Sequence, residues 1–200
     1  MSTHSQSIYE VFEHQKAALA LHLLESLSEF NAVMVFVRTR DGVHALTADL
    51  SHAGIAVDSI HGNKKPELRD RALKAVVDHK IRALVTTNAM ARDLDTTGVG
   101  NVIHVDFPEL DADYTRCLEF IESSGGQVIT FATPQDSKAV SQLEGLIGAE
   151  LPREKAEGFD YDAQPIHAKP ARKSGGTSKG LRSKPLQNKK PKFKNKRGRR

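Results

Sequence analysis

The sequence predicts an α/β domain of three layers, a central parallel sheet between two layers of helices. Two observations carry this expectation. Short apolar runs rich in Val, Ile and Leu alternate along the chain with longer stretches whose apolar residues recur at helical spacing. The short runs are apolar throughout, as strands buried on both faces must be, and the alternating order is that of a parallel sheet joined by helical crossovers. Gln15–Leu27 has apolar residues at helical spacing and reads as the first helix. Ala32–Val37 is the first strand, followed by a helical pattern over Gly42–Ala53. Ile55–Ile60 reads as the next strand. Pro66 suits the first turn of a helix reaching Val77, because a proline there gives up an N–H that has no helical partner. Arg82–Thr86 and Asn101–Val105 are strands, Leu110–Ile121 a helix, Gln127–Phe131 a strand and Ser137–Ile147 the last helix.

After Gly148 this pattern stops. Residues 1–150 are expected to form the domain. Residues 151–165, with Phe159 and Tyr161 among Pro and Gly, read as an irregular strap along it. Residues 166–200 are expected to be a disordered basic tail, because their composition buries too little apolar surface to offset the entropy of ordering. That tail has nine Lys, five Arg and no carboxylate, so the formal +4 of the whole chain conceals a preceding 165 residues with a net charge of −10. A basic arm on an acidic body points to a polyanionic partner such as RNA or another nucleic acid. Lys189, Lys190, Lys192, Lys194, Lys196, Arg197, Arg199 and Arg200 supply the densest charge, and Phe193 among them can stack on a base.

The composition also argues against several classes. One cysteine, Cys117, gives no disulfide framework and fits a reducing compartment; a cytoplasmic setting is expected, or a nuclear or nucleolar one in a eukaryote. The first fifteen residues lack the basic and apolar regions of a signal peptide, and the longest apolar run, Ala32–Val37, is far too short to span a membrane. The nine histidines show no ligand spacing, so no metal site is expected.

Ligands of parallel sheets sit beyond the carboxyl ends of the strands. Thr39, His61–Gly62 and Thr87–Asn88 follow strand ends. Around them, VFVRTR at 35–40, SIHGNKK at 59–65, TTNAMARDLD at 86–95, VIHVDFP at 102–108 and GGQVITFAT at 125–133 occur in one order and spacing. Together these segments resemble the second, C-terminal RecA-like domain of DEAD-box ATP-dependent RNA helicases over roughly Tyr9–Thr133. The resemblance implies a RecA-like fold and an RNA path lined by Thr39, Gly62, Arg69, Thr87 and Arg92. These residue types suit a phosphate backbone, which is bound by hydroxyls, backbone N–H groups and guanidinium groups. Asn88, Asp93 and Pro66 depart from the family's Asp, Gly and Gln, and Asp93 adds a negative charge to that path. Asp95 matches the aspartate that approaches the ATP ribose.

The family's arginine-rich HRxGRxGR motif is nearly gone. In its place stand Thr115, Arg116, Cys117, Leu118, Glu119, Phe120, Ile121 and Glu122. Arg116 alone survives, and two carboxylates stand where arginines would neutralise phosphate charge. Leu110, Tyr114, Cys117, Leu118 and Ile121 instead repeat at helical spacing, and Asp113, Arg116 and Glu119 are spaced as surface ion pairs. Asp95 and Arg116 therefore read as the remnant of a nucleotide site, and no bound cofactor is expected. These residues also contain no GxxxxGK[ST] loop and no Asp-Glu-Ala-Asp sequence. The expected function is RNA binding by a helicase-derived domain that does not hydrolyse ATP or unwind RNA alone. The alternatives are a module that docks on or regulates an active helicase, or half of a split helicase completed in trans by a first domain.

Overall fold

A computed structural model describes residues 5–26 and 31–163. Its strands are β1 (Ser5–Glu10), β2 (Val33–Phe36), β3 (Val57–Ser59), β4 (Ala83–Thr86), β5 (Asn101–His104), β6 (Gln127–Ala132) and β7 (Arg153–Glu154). Its helices are α1 (Lys16–Ser26), α2 (Arg40–His52), α3 (Pro66–Val77), α4 (Asn88–Ala91), α5 (Asp111–Ser124) and α6 (Ser137–Ile147). All strands are parallel, in the order β3-β4-β2-β5-β6-β1-β7. The basic segment 166–200 expected to be disordered lies outside the described residues.

Alternation along each strand builds two cores, one per face. Val33 and Val35 of β2 join Leu19, Leu23 and Leu24 of α1 and Val43, Leu46 and Leu50 of α2. Met34 and Phe36 of the same strand join Ala72 and Val76 of α3, Tyr114, Cys117 and Ile121 of α5, and Val140 and Leu143 of α6. The sheet is thus covered by α1 and α2 on one side and by α3, α5 and α6 on the other. Each buried aliphatic or aromatic side chain contributes about 1.5–3 kcal/mol of transfer free energy.

The strand β1 is absent from the sequence expectation. SQSIYE shows no apolar run, yet Ile8 enters one core and Tyr9 the other. Its pairing with β6 over the full length of both, from Ser5↔Gln127 to Glu10↔Ala132, supplies what local propensity does not. The strap after α6 packs Leu151 and Ala156 inward and adds β7 to the sheet edge through Ile8↔Arg153 and Tyr9↔Glu154. Gln15 Nε2 holds the strap by donating to the Tyr161 carbonyl at 2.7 Å. At the amino ends of β5 and β6 the chain passes so close to itself that a Cβ on Gly126 would lie 1.4 Å from the Gly100 carbonyl oxygen. Only glycine fits there, and Asn101 closes the same corner by donating to the Asn31 carbonyl and accepting from the Gln127 N–H.

Candidate nucleic-acid interface

Because all strands are parallel, their carboxyl ends lie along one edge. The turns leaving β2, β3, β4 and β5 bring Thr39, Gly62, Thr87 and Asp106 to a common rim. Thr39 and Thr87 each cap a helix, Oγ1 of Thr39 accepting from the Gly42 N–H at 3.0 Å and Oγ1 of Thr87 from the Met90 N–H at 3.3 Å. These hydroxyls are fixed in direction by the helices they start. Gly62 is exposed in the turn between β3 and α3.

Arg69 reaches back from α3 into that turn. Its Nε donates to the Lys64 carbonyl at 2.8 Å and its guanidinium to the Gly62 carbonyl at 2.9 Å. Lys64 in turn donates through Nζ to Asp58 and to the Ser59 carbonyl, each at 2.7 Å. The β3–α3 turn is therefore a preformed, cation-braced loop, with Arg69 holding its backbone.

Arg92 is held by a carboxylate. Its Nε and a terminal nitrogen donate to the two oxygens of Asp113, at 2.9 and 2.8 Å, a bidentate geometry with strong directionality. The Asp113 side chain is nearly buried, whereas that of Arg92 is half exposed. Asp113 sits in the first turn of α5, where the helix dipole favours an anion. The sequence gives no hint of this partnership, since the two residues are 21 positions apart. Beside the pair lies a cleft of about 100 Å³ lined by Arg38, Thr87, Asn88, Arg92, Asp106 and Asp113 among others. Asp106 is held from below. Its half-buried carboxyl is raised by burial, but hydrogen bonds from Lys16 Nζ at 2.7 Å and the Arg38 N–H at 2.8 Å outweigh this and bring it below the ordinary range.

The residues expected to be a remnant of a nucleotide site come together at the α4–β5 loop. Arg116 donates to the carbonyl of Leu94, the neighbour of Asp95, at 3.0 Å. Asp95 uses Oδ1 to accept from the Thr97 hydroxyl at 2.7 Å and the Thr97 N–H at 3.1 Å, and these bonds hold its carboxyl below its ordinary value. Around Arg116, α5 is an unbroken helix that turns Tyr114, Cys117 and Ile121 into the core and leaves Glu119 exposed. Cys117 is a core residue, its thiol pushed by burial up to about 12. Among the described residues no cluster of His, Cys, Asp and Glu could hold a metal ion. Lys189 through Arg200 lie outside the described residues.

A seven-stranded parallel sheet flanked by helices, with its polar rim at the carboxyl ends, defines a RecA-like α/β domain. The helicase conserved C-terminal domain matches residues 15–118, and the chain belongs to that family. Among curated proteins it is 31% identical over 162 residues to the DEAD-box ATP-dependent RNA helicase CshA of Bacillus licheniformis, covering 80% of this chain and 33% of CshA. It is 30% identical over 151 residues to the ATP-dependent RNA helicase RhlB of Pseudomonas aeruginosa, covering 74% of this chain and 38% of RhlB. The chain thus spans about a third of the length of these relatives. Among solved structures, Escherichia coli SrmB bound to regulator of ribonuclease activity A superposes with a TM-score of 0.71 at 24% identity, covering 80% of this chain and 95% of that one. The C-terminal domain of Dbp5 superposes with a TM-score of 0.70 at 23% identity, covering 76% and 90%. The fold is that of DEAD-box C-terminal domains.

Proposed function

We propose that this domain binds single-stranded RNA along the rim of β2, β3 and β4 and through the basic segment 166–200, and that these 200 residues do not hydrolyse ATP by themselves. The observation that carries the reading is the contrast between two parts of one edge. At the rim, Thr39, Gly62 and Thr87 are held in fixed directions by capped helices and a braced turn. At α5, the segment that would carry phosphate-neutralising arginines is a packed helix with an exposed Glu119, and its one arginine is bonded to the Leu94 carbonyl. An arginine aimed at the transferring phosphate contributes 10³–10⁵ in rate, so its loss leaves binding without turnover. Asp95 and Arg116 are then a remnant of the nucleotide site.

Titration of isotope-labelled protein with a short oligouridylate tests the rim directly. Amide resonances of Thr39, Gly62 and Thr87 are expected to shift, while those of Cys117, Ile121 and Leu143 stay in place. Shifts confined to the segment 166–200 would remove the rim from the account.

A second reading, a module that docks on another protein, is favoured by one finding: the solved relative SrmB was determined in complex with a protein regulator. Stimulation or inhibition of a DEAD-box helicase by this chain in the absence of RNA contacts would support it.

A further inference from the structure

Where α2 begins, beside the β3–α3 turn, two histidines face each other. The ring centroids of His44 and His61 are 4.5 Å apart with their planes at 57°. His44 is exposed on α2, and His61 is partly buried, with a buried Nδ1 that has no hydrogen-bond partner. We propose that His44 and His61 form a phosphodiester subsite that takes up a proton when single-stranded RNA binds, so that the RNA affinity of this domain rises as pH falls through the neutral range. This rests on the reading of the rim as an RNA path.

The first argument is where the rim's other donors point. Arg69 spends its bonds on the Gly62 and Lys64 carbonyls, Lys64 on Asp58 and Ser59, and Arg92 on Asp113. Arg38 pairs with Glu109 at 3.4 Å. Each of these cations thus has part of its donor set engaged within the protein. A phosphate oxygen needs donors aimed outward. An imidazolium has two, and neutral imidazole only one.

The second argument is the charge surrounding the pair. Arg40 and His44 face His61 from α2, Lys64 from the turn, and Arg69 from α3. Two of these cations have a carboxylate beside them, Asp41 at 3.9 Å from Arg40 and Asp58 at 2.7 Å from Lys64. Burial, followed by this positive surrounding, holds His61 below the ordinary histidine value in the absence of RNA. An imidazolium charge on one ring this close disfavours a second on the other. A bound phosphodiester reverses the field at this point, and an anion within about 4–6 Å favours the charged form. Binding and protonation are then linked, with a limit of tenfold in affinity per pH unit for one proton.

The test measures binding of fluorescein-labelled oligouridylate to the full chain at pH 8 and pH 6, at one salt concentration. Wild type is expected to bind about five- to tenfold more tightly at pH 6. The double variant His44→Gln/His61→Gln is expected to reduce that difference to less than about twofold. His44→Lys, which fixes a charge, is expected to bind at pH 8 as tightly as wild type does at pH 6 and to be flat with pH. Binding that is independent of pH, or a pH dependence unchanged in His44→Gln/His61→Gln, would overturn the proton-coupled subsite and leave the RNA reading standing. Absence of binding at both pH values would overturn both.

Discussion

Removal of residues 166–200 is expected to weaken binding of single-stranded RNA at least about thirtyfold near 100 mM salt, because the segment carries all of the chain's excess positive charge. The remaining 165 residues have a net charge of −10 and repel a polyanion as a whole, with attraction confined to the rim. If six to eight of the fourteen cations in the segment engage phosphates, the slope of log affinity against log salt is about −4 to −6 for a single strand. Between 50 and 200 mM salt this amounts to a loss of roughly 250- to 4,000-fold for the full chain. Residues 1–165 are expected to show a slope nearer −1 to −2, that of the rim's few phosphate contacts. A salt series on both proteins measures this, and equal slopes would mean that the segment 166–200 does not contact RNA.

The second large effect concerns stability in mild acid. His104 of β5 is fully buried, stacked between Phe36 at 5.0 Å and Tyr114 at 5.9 Å. Neither ring nitrogen has a hydrogen-bond partner. Burial drives the imidazole down to about 3, against the upward pull of Asp113. The folded state therefore holds His104 neutral, while the unfolded chain protonates it near 6.5. Above 6.5 both states carry neutral imidazole and stability is at its full value. As pH falls below 6.5 the unfolded state binds a proton that the folded state refuses. Stability then declines by up to about 1.4 kcal/mol per pH unit until the folded group titrates near 3. Against a typical total of 5–15 kcal/mol this loss is large. The carboxylates held below their ordinary values, Asp95 and Asp106 among them, lose their contribution only below about pH 4, so the window from 6.5 to 4.5 isolates histidine. Chemical denaturation across this window is expected to show the decline in wild type and a much flatter profile in His104→Leu. Leu at this position keeps the volume apolar and removes two unpaired polar atoms, so the variant is expected to be at least as stable at pH 7. Equal profiles for the two proteins would show that another group controls acid stability.

These effects depend on features that differ in how far the sequence reveals them. The parallel sheet was legible because VMVF, ALVT and NVIH each place apolar residues on both faces, a local property of each run. The strand Ser5–Glu10 was not, because its stability comes from β6, more than 110 residues away. The candidate RNA positions were legible only through the resemblance and their place after strands. What their side chains do was hidden in tertiary geometry. Arg69 braces its own turn, Arg92 is clamped by Asp113, and His44 meets His61 across two elements. The helical repeat of α5, by contrast, was plain from Tyr114, Cys117 and Ile121, since periodicity is local.

The central claim, an RNA-binding helicase C-terminal domain whose nucleotide site is a remnant, is tested most directly by RNA binding with and without nucleotide. Anisotropy of labelled oligouridylate on the full chain should give one affinity, unchanged by millimolar ATP with magnesium or by ADP. No binding, or an affinity that shifts with ATP in wild type and not in Asp95→Ala, would contradict the account.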